Sequence, residues 1–189
     1  MDYRKKIEEY LNEEIDIIRN INISAVNDAM NLLEETRKIK STVYVFGNGG
    51  SAATASHMQN DFNKGISERL ENKYNFCCLN DNVATMMAIA NDDCYENIFY
   101  NQIKNKLKKG DVILAISGSG NSKNVIKAVE YAKNNGNKII GLTGYDGGKL
   151  KQLSDISLHV PLKNMQITED LHIIFNHVMM YVLCNNLIE

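Results

Sequence analysis

An alternation that begins near residue 42 constrains this chain more than any other feature. Apolar runs of strand length, at residues 42–46, 74–79, 112–117, 138–143 and 156–160, are separated by segments with helical periodicity such as 123–134. The runs are rich in Ile, Val and Tyr, residues that suit a pleated surface. A parallel partner strand is reached only through a long crossover, and the crossover helices cover both faces of the sheet. The pattern therefore predicts an α/β fold with a five-stranded parallel sheet and helices on both faces.

The flanks read differently. Ile7, Leu11, Ile15 and Ile18 recur at helical spacing, as do Val26, Met30 and Leu33, so two N-terminal helices are expected with a break near residues 20–22. Residues 166–188 predict one long C-terminal helix. Pro161 is the one proline, and no low-complexity linker or repeat interrupts the chain. The expectation is a single domain over residues 1–189, with helices in 1–40 and the α/β core in 41–189. The net charge of −2 offers no broad basic surface for nucleic acid or an anionic membrane. The longest apolar stretch, 171–188, carries His172, Asn176, His177, Asn185 and Asn186, which argues against a membrane span. The charged first ten residues do not read as a signal peptide, so a cytoplasmic location is expected. Cys77, Cys78, Cys94 and Cys184 match no zinc or redox spacing, and the adjacent pair reads as buried thiols in a strand.

In sheets of this kind ligands bind beyond the carboxyl ends of the strands. Small polar residues stand at those ends. One run is followed by Gly47, Asn48, Gly49, Gly50 and Ser51, another by Gly118, Ser119, Gly120, Asn121 and Ser122 after Ser117. Glycines let the backbone curl into a nest of N–H donors, and a helix start adds unpaired N–H groups and a positive dipole end. Serine hydroxyls complete a site for phosphate without a Lys or Arg. The loop 117–122 is neither a Walker loop nor the G-x-G-x-x-G dinucleotide fingerprint. Two such loops facing one crevice predict a phosphorylated small molecule.

Titratable residues on two helices complete the picture. His57 and Asp61 are four residues apart, about 40° apart on one helical face, so they can bind a divalent metal or act as a base and its partner. Glu169 and His177 are separated by eight residues, about 80° around the C-terminal helix, and can line one cavity. His172 competes with His177 but points about 140° away from it.

The segments FGNGGSAATASH, AIAND, SGSGNS and LTGYDGG resemble the sugar isomerase (SIS) proteins, and most closely the phosphoheptose isomerases, over nearly the whole chain. The resemblance implies a flavodoxin-like fold, a sugar-phosphate substrate and an aldose–ketose isomerisation of sedoheptulose 7-phosphate through an enediolate. A related branch implies the alternative of a non-catalytic regulator that binds sugar phosphate or a replication initiator. Sugar-phosphate contacts carry over to Asn48, Ser51, Asp92, Ser117, Ser119 and Ser122. Gly118 departs from the threonine usual in the family, and Gly65, beside Lys64, stands where an arginine is expected. The resemblance implies a divalent metal, with zinc the best match, held by His57, Asp61, Glu169 and His177. Asp61 and Glu169 replace a glutamate and a glutamine of the usual set. Asp61 and His177 are the expected base and acid, with Glu169 as a rival base. A homotetramer with active sites shared between subunits is also implied, with no nucleic-acid or membrane partner.

Overall fold

The computed structural model describes residues 1–186; the expected end of the last helix at Ile188 lies outside them. Two helices come first, α1 (Arg4–Arg19) and α2 (Ile23–Lys38). They break where the periodicity predicts, because the Asn22 side chain accepts from the Ala25 N–H and caps α2. Five strands follow: β1 (Val43–Gly47), β2 (Phe76–Cys78), β3 (Val112–Ser117), β4 (Lys138–Thr143) and β5 (Ile156–His159). Every neighbouring pair is parallel, in the order β2-β1-β3-β4-β5. This is the flavodoxin-like order, with its switch point between β1 and β3. The α/β core with helices on both sides is as expected.

The connections are α3 (Gly50–Asn60), α4 (Val83–Asp92), α5 (Tyr100–Ile103), α6 (Lys123–Asn134) and α7 (Gly148–Leu153). The C-terminal α8 spans Met165–Asn186. All six residues of β3 are buried, which is why that run reads as continuously apolar rather than alternating. Two apolar cores result, one on each face of the sheet. One joins Val45, Leu114 and Leu142 to α2, α3 and α8; the other joins Phe46, Ile113 and Ile139 to α6.

Edge strand β2 is shorter than its apolar run. Its outer ladder is taken by side-chain amides: Asn63 exchanges two hydrogen bonds with Phe76, and the Gln59 carbonyl oxygen accepts from the Cys78 N–H. These amides come from the end of α3 and the turn after it, so they fix that turn against the sheet. The adjacent thiols both lie in β2, but only Cys78 is buried as expected; Cys77 is half-buried because alternate residues of an edge strand face opposite sides. Burial pushes the Cys78 thiol up to about 12, and the Cys77 thiol upward as well, so neither is a nucleophile near neutrality.

His172 is buried in the core at 1% exposure, and neither ring nitrogen has a hydrogen-bond partner among the described residues. Burial holds its pKa down to about 4, against an ordinary 6.5. The folded state therefore favours the neutral ring. Stability from this residue is present above pH 6.5 and is lost as pH falls from there toward 4, by up to about 3 kcal/mol. Thermal melting between pH 7 and 4.5 should show a steeper acid loss for the native protein than for His172→Leu; parallel curves would remove His172 from the account.

Candidate active site

The loops after β1 and β3 end level, because Gly47 pairs with Ile116 in the parallel ladder. They form the two lips of a crevice of about 180 Å³, walled by Asn48, Ser51, Ser117, Gly118, Ser119, Ser122, Met165 and Glu169, with Ile116 at its base. Two helices begin here. The N-cap of α3 is Gly49, whose φ of +55° suits glycine, and that of α6 is Ser122; neither supplies a side-chain cap. Their first N–H groups are left for a ligand. The Ser117 and Ser122 hydroxyls lie 3.1 Å apart and can share an anionic oxygen.

Not every expected contact faces this crevice. Asn121 instead braces the loop: its amide donates to the Ser119 carbonyl at 3.0 Å, and its Oδ1 accepts from the Lys149 N–H at 3.1 Å. Asp92 ends α4, outside the crevice wall, and accepts from Asn91 at 2.8 Å. Gly49 belongs to the neighbouring hollow beside Met86 and Tyr95. Gly50 matters through what it lacks. A Cβ there would fall 2.5 Å from the Glu169 carboxylate, so the missing side chain lets Glu169 reach the backbone at the start of α3.

A second cluster lies further along α3. His57 Nε2 is 3.2 Å from Asp61 Oδ2, and His177 Nε2 is 3.4 Å from His57 Nε2 and 4.0 Å from Asp61 Oδ2. Asp61 is buried, while both histidines are exposed. Asp61 opens a π-helical turn, Asp61–Ile66, and such turns recur at functional sites. Asn176, fully buried on α8, donates to Asp61 Oδ2 at 2.6 Å and holds the carboxylate toward the histidines.

These three donors fit a divalent ion. Nitrogens about 2.0–2.1 Å from a tetrahedral ion lie about 3.3 Å apart, close to the 3.4 Å between the two imidazoles. Glu169, the fourth expected ligand, is not in this cluster. It stands eight residues before His177 on α8, about 12 Å along the axis, and its carboxylate takes the room over Gly50. The two carboxylates thus occupy different places instead of facing each other. Of the two competing histidines, His177 joins the cluster and His172 is in the core.

The SIS domain pattern matches residues 3–144. A phosphoheptose isomerase of Helicobacter pylori is 39% identical over 156 residues, covering 82% of this chain and 80% of the relative. The chain belongs to the phosphoheptose isomerase family. Solved phosphoheptose isomerases agree: that of Neisseria gonorrhoeae superposes with a TM-score of 0.88 at 28% identity, covering 97% of this chain and all of that one. That of Francisella tularensis gives 0.89 at 26% identity over 98% of this chain and all of its own.

Within the phosphoheptose isomerase fold, the departure at Gly118 has a physical counterpart. A Cβ at Gly118 would lie 2.6 Å from the Met165 sulfur, so the Met165 thioether fills the space that a side chain at 118 would take. Met165, Asn176 and Asn124, which pairs with Asn48, are neighbours of the candidate site that the sequence does not reveal. Their contacts span about 50 to 115 residues and leave no local spacing signal.

Replacing Ser119 and Ser122 together by Ala removes two crevice hydroxyls. Sugar-phosphate binding by calorimetry should weaken by about 1–3 kcal/mol, the usual loss for charge-assisted hydrogen bonds. An unchanged affinity would place the phosphate elsewhere.

Proposed function

We propose that this protein isomerises sedoheptulose 7-phosphate to D-glycero-D-manno-heptose 7-phosphate. One observation carries the reading: α3 and α8 each contribute to both the serine crevice and the His57–Asp61–His177 cluster. Phosphate binding and proton transfer therefore share two rigid elements. Ser51 and His57 are six residues apart on α3, about 9 Å along the axis. That separation is comparable to an extended sugar phosphate of six or seven carbons with bonds of about 1.5 Å.

The serines and the start of α6 bind the phosphate. With the phosphate at Ser51, C1 of the ketose reaches the cluster around His57, so Asp61 and His177 are the base and the acid. Asp61 takes a proton from C1, giving an enediolate, and a proton returns to C2. His177 moves the accompanying proton between the two oxygens. Asn176 and His57 hold the Asp61 carboxylate in place for this. Glu169 lines the crevice at its phosphate end, beside Gly50. Held by His57, Asp61 and His177, a zinc or similar first-row ion would supply stabilisation of the negative oxygen that develops during proton removal.

The same reading includes a homotetramer with sites shared between subunits. Its support is the face of α1, where Ile7, Leu11, Ile15 and Ile18 remain 39–56% exposed although they form an apolar stripe. The cluster histidines are also open, at 45% and 55% side-chain exposure, in a position that a neighbouring subunit can close. Among the described residues no helix is long and apolar enough to cross a membrane.

Turnover, metal content and assembly each test this. NMR of the protein with sedoheptulose 7-phosphate should show aldose formation, elemental analysis should find a first-row metal, and chelation should abolish turnover. Asp61→Asn should lose activity while sugar-phosphate affinity changes little, since the serine loops lie elsewhere. Full activity in a metal-free sample leaves Asp61 and His177 as a plain acid–base pair. Light scattering at micromolar concentration should give four chains per particle, and a monomer would count against the shared site.

A further inference from the structure

Asn48 stands at the corner between the serine crevice and the adjoining hollow. Among the described residues it is the one side-chain amide on the crevice wall, and it makes three hydrogen bonds. Asn48 Nδ2 donates to Asn124 Oδ1 at 2.9 Å, and Asn124 Nδ2 donates to Asn48 Oδ1 at 2.9 Å. The Tyr95 hydroxyl donates to the same Asn48 Oδ1 at 2.9 Å.

A reciprocal pair of amides can usually flip together without loss. Here it cannot. Asn124 Oδ1 also accepts from the Val125 N–H at 2.9 Å, so its oxygen must face that backbone group. Asn124 is 2% exposed, in the first turn of α6, with no room for another arrangement. With Asn124 fixed, Asn48 is fixed: its oxygen faces Asn124 and Tyr95, and one of its two N–H groups is used. Both acceptor sites of Asn48 Oδ1 are filled, and one N–H is left. Tyr95 lies on the turn Tyr95–Asn97, whose Glu96 approaches Lys123 at the start of α6 at 3.1 Å.

We infer that Asn124 and Tyr95 are positioning residues that turn Asn48 into a single hydrogen-bond donor for an oxygen acceptor of the substrate. This rests on the isomerase reading above for the identity of the substrate, and not for the geometry. Asn48 can then greet a carbonyl, a hydroxyl oxygen or a phosphate oxygen, and cannot accept from a sugar hydroxyl. The same amide pair ties the lip after β1 to the lip after β3, so the donor is set at the width of the crevice.

The test is a double-mutant cycle. Tyr95 is 58% exposed, so Tyr95→Phe should fold normally. It should raise KM for sedoheptulose 7-phosphate roughly 2- to 10-fold with kcat little changed, the signature of lost uniform binding. In an Asn48→Ala background the same substitution should have no further effect, because Tyr95 acts through Asn48. An equal effect in both backgrounds would overturn the inference. Asn124→Asp, which keeps the acceptor but loses the donor, should cost more than Tyr95→Phe, and thermal melting of both variants separates a folding defect from this effect. In the ligand-free protein, the side-chain amide signals of Asn48 should be slow to exchange and should shift in Tyr95→Phe; unshifted signals would also overturn it. If the native protein binds the sugar phosphate without converting it, the isomerase reading fails, while the same cycle on dissociation constants and amide signals still decides the role of Asn124 and Tyr95.

Discussion

The parallel pairing of β1 with β3 is the constraint on which the rest of the structure depends. Val43 to Gly47 run beside Val112 to Ile116 without a slip. From β1 the chain leaves toward β2 on one side, and from β3 toward β4 on the other. The two connections diverge, and the space between them cannot be filled by either. A one-residue slip would set the lips at different heights and turn alternate side chains to the opposite face. The asparagine pair across the crevice would then not meet.

α8 is the second organiser, and it works by periodicity. Along one helix, Glu169 enters the crevice, His172 enters the core, Asn176 supports Asp61 and His177 faces His57. The turn after α3 presents Asp61 to this helix, and the side-chain amides of Gln59 and Asn63 anchor that turn to the edge of the sheet. The candidate site is therefore carried by two helices and one strand edge, with the small-residue loops forming the crevice beside it.

Much of this was legible in the chain, for reasons that differ by element. Runs such as 112–117 are visible because a fully buried parallel strand admits almost nothing polar. The break between α1 and α2 is visible because Asn22 is a capping residue. His57 with Asp61 was legible as a helical pair, although the π-helical turn at Asp61 was not, since nothing in local composition separates it from α-helix. The separation of Glu169 from the other ligands was hidden too. It depends on Gly50 having no side chain, a contact across more than a hundred residues. Asn124 looked like an ordinary residue of an amphipathic helix, and Asn176 like a polar interruption of an apolar one. Their roles come from partners that only the tertiary fold supplies.

The crevice wall carries one formal charge among the described residues, and it is negative: Glu169. The serine hydroxyls and the two helix starts are neutral dipoles. A phosphate dianion is attracted to those dipoles at contact and repelled by the carboxylate from further away. The carboxylate lies over Gly50, beside the start of α3, so the dipoles that would hold a phosphate must outweigh a like charge close by. Net attraction in this crevice is a difference between two opposed terms, and a site of that kind lets go of an anion as readily as it takes one.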